Sequence, residues 1–361
     1  MNPCALPGWG AGTTRRETHV TDAVGMPPKD NPRISAVDLF CGAGGLSIGL
    51  QQAGVLIVGG VDIESSCSYP FEANIQAPFL EMDVKDVTAA HLEPLWVPGT
   101  IRMLAGCAPC QPFSAYRRGT DTSHEEQWPL LREFGRLVRE VRPDLVTMEN
   151  VPRIGTSSVF EEFVAQLEAE GFDVDWKSVY GPRYGLPQHR RRMVLLASRL
   201  GSIKVPPGDH EEQIYRTVRD AISILPEVAS GGSDPLDVLH AARKLSPLNI
   251  QRIQASVPGG TWLDWPEELR SPCHTRATGA SFKNVYARME WDKPAPTITT
   301  LSNNFGAGRF GHPEQDRSIT LREAALLQGF PRDYRFIRPG QKLNASATAR
   351  LIGNAVPPPI A

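Results

Sequence analysis

Cys110 lies in the run Gly106-Cys107-Ala108-Pro109-Cys110-Gln111-Pro112-Phe113-Ser114, directly after a short apolar stretch. A Cys-x-x-Cys pair can hold zinc or form a redox disulfide, but zinc calls for a second pair or nearby histidines, and none follows. Cys110 can equally be a nucleophile, its sulfur carried into a cleft on a strand-to-loop junction, or a buried structural thiol. Glu149 closes another apolar stretch, Leu145-Val146-Thr147-Met148, and is followed by Asn150-Val151. A carboxylate at the carboxyl edge of a parallel sheet is placed for acid/base work. Gln188-His189-Arg190-Arg191-Arg192 is the densest basic cluster in the chain, and guanidinium groups grip phosphate or a base carbonyl.

A glycine-rich turn, Asp38-Leu39-Phe40-Cys41-Gly42-Ala43-Gly44-Gly45-Leu46-Ser47, separates a strand pattern from a helix pattern. Glycines there let a ligand approach the backbone, at the point where parallel sheets bind nucleotide-like molecules. The dinucleotide pattern G-x-G-x-x-G requires Gly at 47, which is Ser, so NAD and FAD are disfavoured. Asp62 follows Gly42 by 20 residues, where a carboxylate can accept from both hydroxyls of a ribose. Asp83 could likewise accept from an adenine amino group. Taken alone, each of these acids also reads as a loop cap.

These residues need a scaffold, and the apolar pattern supplies one. Strands are expected at 36–40, 55–61, 101–105, 145–148, 174–179 and 193–197, with a short one before Asp83. Between them run helices with Leu46, Leu50 and Ala53 on one face, then Leu130, Phe134, Leu137, Val138 and Val141, then Phe160, Phe163, Val164 and Leu167 ended by Gly171. Alternation of this kind indicates a doubly wound, mostly parallel α/β sheet. It fails after about Lys204. From 204 to 316 the chain is rich in turn signals such as Pro206-Pro207-Gly208 and Pro258-Gly259-Gly260, which reads as a second, smaller, irregular domain. A helical pattern returns at Leu321, Ala325 and Leu326. Residues 1–32 read as a flexible leader, 33–203 as the first domain, and 317–361 as its continuation.

Composition narrows the class. Hydrophobic residues at 41% and charged residues at 22% exclude a disordered or fibrous chain. No apolar run reaches a membrane span, the N-terminus lacks a signal pattern, and six cysteines without framework spacing argue against a disulfide scaffold, so the cytosol is expected. With a net charge of −2, a polyanionic partner must be held by local basic clusters rather than by the whole molecule.

In order and spacing these motifs resemble the C5-cytosine-specific DNA methyltransferases, over about 320 residues from Ile34 onward. Asp38 to Gly45 resembles the family's S-adenosylmethionine loop, Pro109-Cys110-Gln111 its nucleophile motif and Glu149-Asn150-Val151 its acid motif. Gln188-x-Arg190-x-Arg192 resembles its arginine motif. Arg322-Glu323 with Leu327-Gln328-Gly329-Phe330-Pro331 resembles the stretch supporting the recognition domain, and Gly353-Asn354-Ala355-Val356-Pro357 the last motif, beside the cofactor. The fold implied is a Rossmann-like methyltransferase sheet with a target-recognition domain, here 204–316.

The resemblance implies that Phe40, Gly42, Gly44, Gly45, Leu46, Asp62, Ile63, Asp83, Val84, Pro109, Asn354 and Val356 hold S-adenosyl-L-methionine, and that no metal is needed. Cys110 thiolate would add to C6 of a flipped-out cytosine while Glu149 bonds N3 and the exocyclic amine. Arg192 would contact the base O2, with Arg190 nearer the phosphates. Carbon 5, made nucleophilic, would then take the methyl group. The implied partner is double-stranded DNA, with a cognate restriction endonuclease alongside, for a monomer near the nucleoid. Base-edge contacts would come from residues such as Arg252, Arg276, Lys283 and Arg288. The chain ends four residues after Pro357, so the helix that usually follows in the family is expected to be short or missing. Three other readings stand beside this one. The first is a transfer-RNA cytosine methyltransferase, since Pro112 after Gln111 also occurs in that branch, although the large recognition segment favours DNA. The second is a catalytically dead DNA-binding relative, opposed by Cys110, Glu149 and Arg192. The third is an NAD-dependent oxidoreductase, opposed by Ser47.

Overall fold

The computed structural model describes residues 33–109, 129–276 and 283–361. Its centre is a seven-stranded sheet. In chain order the elements are β1 (Ile34–Leu39), α1 (Gly45–Gln52), β2 (Leu56–Asp62), α2 (Ser68–Ile75), β3 (Phe79–Glu81), α3 (Ala89–Leu92), β4 (Ile101–Gly106), α4 (Pro129–Val141), β5 (Leu145–Asn150), α5 (Ser158–Ala169), β6 (Asp173–Tyr180) and β7 (Arg191–Ser198). There follow α6 (Val218–Ile222), β8 (Ser233–Asp234), β9 (Asp237–Ala241), α7 (Pro247–Ala255), α8 (Pro272–Thr275), α9 (Leu321–Leu327) and α10 (Ala345–Asn354).

The strands lie in the order β3-β2-β1-β4-β5-β7-β6. The first five are parallel, whereas β7 runs antiparallel to both β5 and β6. Successive strand residues point to opposite faces, and the two faces feed different cores. Val37, Val58 and Leu104 pack with α4 and α5, through Leu131, Phe134, Val138, Phe160 and Phe163. Ala36, Ile57 and Ala105 pack with Leu46, Leu50, Phe71 and Val356. Helices on both faces make the sheet doubly wound, as the apolar pattern indicated. Two details differ from that pattern. Leu131, wholly buried, takes the place expected for Leu130 on α4, because 131, 134, 138 and 141 keep the helical period more closely. Ala53 falls beyond the end of α1 and is exposed.

Residues after 204 fall into two groups. Val218, Ala221, Ile222 and Leu239, with Met289, Ala295, Ile298 and Phe310, share a core with α9 and α10. Ile253, Trp262, Trp265 and Phe305 form a cluster of their own. Among the described residues no helix is long and apolar enough to cross a membrane.

Candidate active site

Strand reversal brings the acid and an arginine together. Glu149 is next to last in β5, and antiparallel pairing sets it opposite Val194, so that the start of β7 abuts the carboxyl end of β5. Arg192 Nε lies 3.0 Å from Glu149 Oε1. Among the described residues no aligned hydrogen bond reaches that oxygen, so the contact is Coulombic and Oε1 keeps its acceptor capacity although buried. The other oxygen, Oε2, accepts from the Cys107 thiol at 3.3 Å. Asn150, the next residue, donates from Nδ2 to Ala108 O at 2.9 Å, tying the end of β5 to the segment that leads into Cys110. Cys110 itself lies outside the described residues. Pro109, just before it, is exposed.

Arg190, expected nearer the phosphates, is instead only 3% exposed. Its guanidinium donates to Ile298 O at 2.9 Å and to Gly353 O at 3.3 Å. Gln188, also buried, accepts Ile298 N and donates to Leu327 O and Gln328 Oε1. The arginine motif thus ties the start of β7 to the ends of α9 and α10, a positioning role, while Arg192 alone of the two motif arginines meets the acid.

At the other half of the edge, Gly42 N donates to Asp62 Oδ2 at 2.9 Å and Glu64 N to Oδ1 at 2.9 Å. Burial holds the Asp62 carboxyl above its usual range against these bonds. Gly42 sits at φ +53° with open space where a Cβ would point, and Phe40 shares this left-handed conformation at φ 58°. Gly45 has a different reason to be glycine: a Cβ there would lie 2.3 Å from Val356 O. Ile63 is 67% exposed beside Asp62. Asp83 accepts Lys85 N at 3.0 Å, which is the loop-cap geometry, and leaves its other oxygen for a ligand. Asn354 is exposed at the end of α10. Leu46 and Val84 lie in the cores, so a ligand at this edge would meet their backbone rather than their side chains.

Tyr334, which carries no sequence signal, and Asp38, the first residue of the glycine-rich motif, support the glycine turn. Tyr334, buried, donates its hydroxyl to Ala43 O. Asp38, 1% exposed, accepts Ser47 Oγ at 2.6 Å, while its Oδ1 has no partner among the described residues. Desolvation raises the Asp38 carboxyl to about 7. An open glycine backbone, a ribose-reach carboxylate and an exposed apolar side chain beside it fit an adenosyl group. Of the arginines considered for base contact, Arg252 and Arg288 are buried. Arg252 donates to Leu269 O and Ser271 Oγ, and Arg288 to Ile253 O, Ser256 O and His312 O. Arg276 and Lys283 are exposed.

A family model described as C-5 cytosine-specific DNA methylase matches residues 34–361. The chain is 49% identical over 326 residues to the type II methylase M.HgiDII of Herpetosiphon aurantiacus, covering 90% of this chain and 91% of that one. It is 32% identical to the type II methyltransferase M1.HphI of Haemophilus parahaemolyticus, over 91% and 84% of the two chains. Among solved structures, a putative DNA modification methyltransferase encoded within an E. coli prophage superposes with TM-score 0.62 at 21% identity, over 91% and 96%. The Dnmt2 methyltransferase of S. pombe gives 0.61 at 16%, over 91% and 96%. At these identities the solved structures speak for the fold.

Proposed function

Since the chain belongs to the C-5 cytosine-specific DNA methylase family and is a DNA (cytosine-5-)-methyltransferase, we propose that it methylates a flipped-out cytosine within one short duplex sequence, through a covalent bond from Cys110 to C6. The observation that carries this reading is the Glu149–Arg192 pair at the end of β5, with Asn150 anchoring the segment that enters Cys110.

Glu149 presents an oxygen without an aligned partner among the described residues, suited to the N3 and exocyclic amine of cytosine, and Arg192 stands beside it for the base O2. Protonation or hydrogen bonding at N3 drains electron density from C6, so Cys110 thiolate can add there and leave C5 as an enamine carbon. A base inside the stack cannot be reached this way, and extrusion costs a few kcal/mol. Phe40, Gly42, Gly44 and Asp62 with Ile63, Asp83, Pro109 and Asn354 would hold S-adenosyl-L-methionine, with the backbone of Gly45, Leu46, Val84 and Val356 behind them. That group supplies an electrophilic methyl. Residues 204–316 would form the target-recognition domain between a catalytic part, 33–203, and its return, 317–361. The type II names of M.HgiDII and M1.HphI support a cognate restriction endonuclease as partner of a monomer acting on cytosolic, nucleoid DNA.

The test is a trap. Fluorine at cytosine C5 allows addition at C6 and methyl transfer but cannot leave as a proton does. Duplex DNA carrying 5-fluorocytosine at the target should therefore give a denaturation-resistant adduct that needs S-adenosyl-L-methionine. Cys110→Ala should abolish it, and Cys107→Ala should not. An adduct that survives Cys110→Ala overturns the nucleophile, and one formed only with transfer RNA overturns the substrate. Bisulfite sequencing of DNA from expressing cells reads out the site.

A further inference from the structure

The basic run at the start of β7 is sorted by strand parity. Gln188 and Arg190 turn inward and Arg192 turns to Glu149, while His189 and Arg191 turn the other way and are exposed. Both of these meet Tyr180. Arg191 is its partner across the β6–β7 ladder, with the guanidinium 4.6 Å from the ring centroid. His189 stacks on the same ring at 6.1 Å and 14° and shares a hydrogen bond between Nδ1 and the Tyr180 hydroxyl. Tyr215 abuts Tyr180 edge-on at 6.1 Å. The platform is anchored below, where His189 N donates to Ala295 O at 2.7 Å and Thr297 Oγ1 to His189 O at 2.6 Å.

Arg191 is thereby a rigidly held cation at the surface. Among the described residues no carboxylate pairs with it; Glu212 lies near Tyr180 and His189, and Lys293 near His189, without forming such a pair. Stacking on an aromatic ring leaves the in-plane N–H groups of a guanidinium free for an anion. Position favours a nucleic-acid anion. Arg191 lies three residues from the ladder partner of Glu149, about 10 Å along the strand at roughly 3.3 Å per residue. A duplex whose target base reaches Glu149 has backbone phosphates at that range. With a net charge of −2, the affinity has to come from fixed local cations of this kind.

We infer that Arg191, held on the Tyr180–His189 platform, is a backbone-phosphate contact for the DNA strand beside the target cytosine, a role distinct from the inward Arg190 and the base-facing Arg192. The inference rests on the proposed function only in taking duplex DNA as the ligand. Its test is the salt dependence of binding, measured by anisotropy with a labelled duplex carrying the site found by bisulfite sequencing. Each phosphate neutralised contributes about 0.9 to the slope of log affinity against log salt. Arg191→Gln should lower the slope by about one and weaken binding about tenfold at physiological salt, while S-adenosyl-L-methionine affinity stays unchanged. Arg139→Gln, an exposed arginine in the last turn of α4, should leave the slope as it is. Tyr180→Leu should weaken binding and keep the slope, because the charge survives while its fixed orientation is lost. Arg191→Lys should also keep the slope. An unaltered slope and affinity in Arg191→Gln, with DNA still methylated by the wild type, overturns this inference alone. A wild type that binds no duplex overturns it together with the reading it rests on.

Discussion

Both carboxylate oxygens of Asp62 accept backbone amides, one from Gly42 in the glycine turn and one from Glu64, and each keeps a lone pair for a ligand hydroxyl. Asp62→Ala removes the acceptor and relaxes the turn at once. We expect cofactor affinity to fall by roughly 10- to 150-fold, the range of hydrogen bonds to a charged group. Calorimetry decides, and an unaltered dissociation constant would show that Asp62 serves the loop only. Asp38 offers a test by pH. Folded, it keeps its proton up to about pH 7, while in the unfolded chain it loses it near the ordinary aspartate value of 3.8. Folding therefore takes up a proton in between, and the Asp38 contribution to stability falls as pH rises from about 4 to 7 and is level above that. Asp38→Asn, neutral at every pH, should flatten this fall. Comparing denaturation midpoints at pH 5 and pH 8, the wild type should lose on the order of 3 kcal/mol that the variant keeps. Equal losses in the two proteins would remove Asp38 as the cause.

At the level of elements, α9 shows how a short helix is fixed. Thr320 caps it and Glu323 closes the capping box, yet Glu323 is also paired through both oxygens to Arg317 at 2.8 Å, with both side chains 1% exposed. The Arg317 guanidinium holds the Glu323 carboxyl below its usual range against the desolvation that would raise it. Arg317→Met leaves a buried carboxylate without its cation and should cost about 3–5 kcal/mol in urea unfolding. Adding Glu323→Gln should restore part of that loss, and a double variant as unstable as the single one would mean that packing, not charge, is at issue. Arg322-Glu323 drew notice in the sequence as a motif, but the pairing of Glu323 with Arg317 did not. The strands, by contrast, were legible because short apolar runs, bounded by turn residues and alternating with amphipathic helix patterns, mark the strands of a sheet buried on both faces. Tyr334 was illegible for the opposite reason: its hydroxyl meets Ala43 across 291 residues, and no local period records such a contact. The same holds for Arg190, which looks from its neighbours like one more surface cation and is drawn inward by carbonyls of Ile298 and Gly353.

For the molecule as a whole, specificity and chemistry should be separable, though not at the first residue of the irregular segment. Replacing 204–316 with the matching segment of a relative should move methylation to other cytosines and leave cofactor affinity within a few-fold, because the glycine turn and Asp62 lie outside it. Residues 218–241 share a core with α9 and α10, as do Met289, Ala295, Ile298 and Phe310, and Asp237 is ion-paired with Arg322. A chimera exchanging only 243–286, which leaves that core intact, should therefore fold better and carry the same change of site. Bisulfite sequencing of both chimeras tells, and a folded chimera that keeps the original site would place recognition elsewhere. One property of the sheet bears on every such exchange. An all-parallel sheet offers only strand ends at its binding edge, and its strand starts lie on the far side. Were β7 parallel to β5, its eight residues would carry Arg191 about 23 Å and Arg192 about 17 Å away, at some 3.3 Å per step. A single backward strand lets a leaving segment and an arriving one share one edge, so the acid comes from where the chain exits the sheet and its arginine partner from where it re-enters.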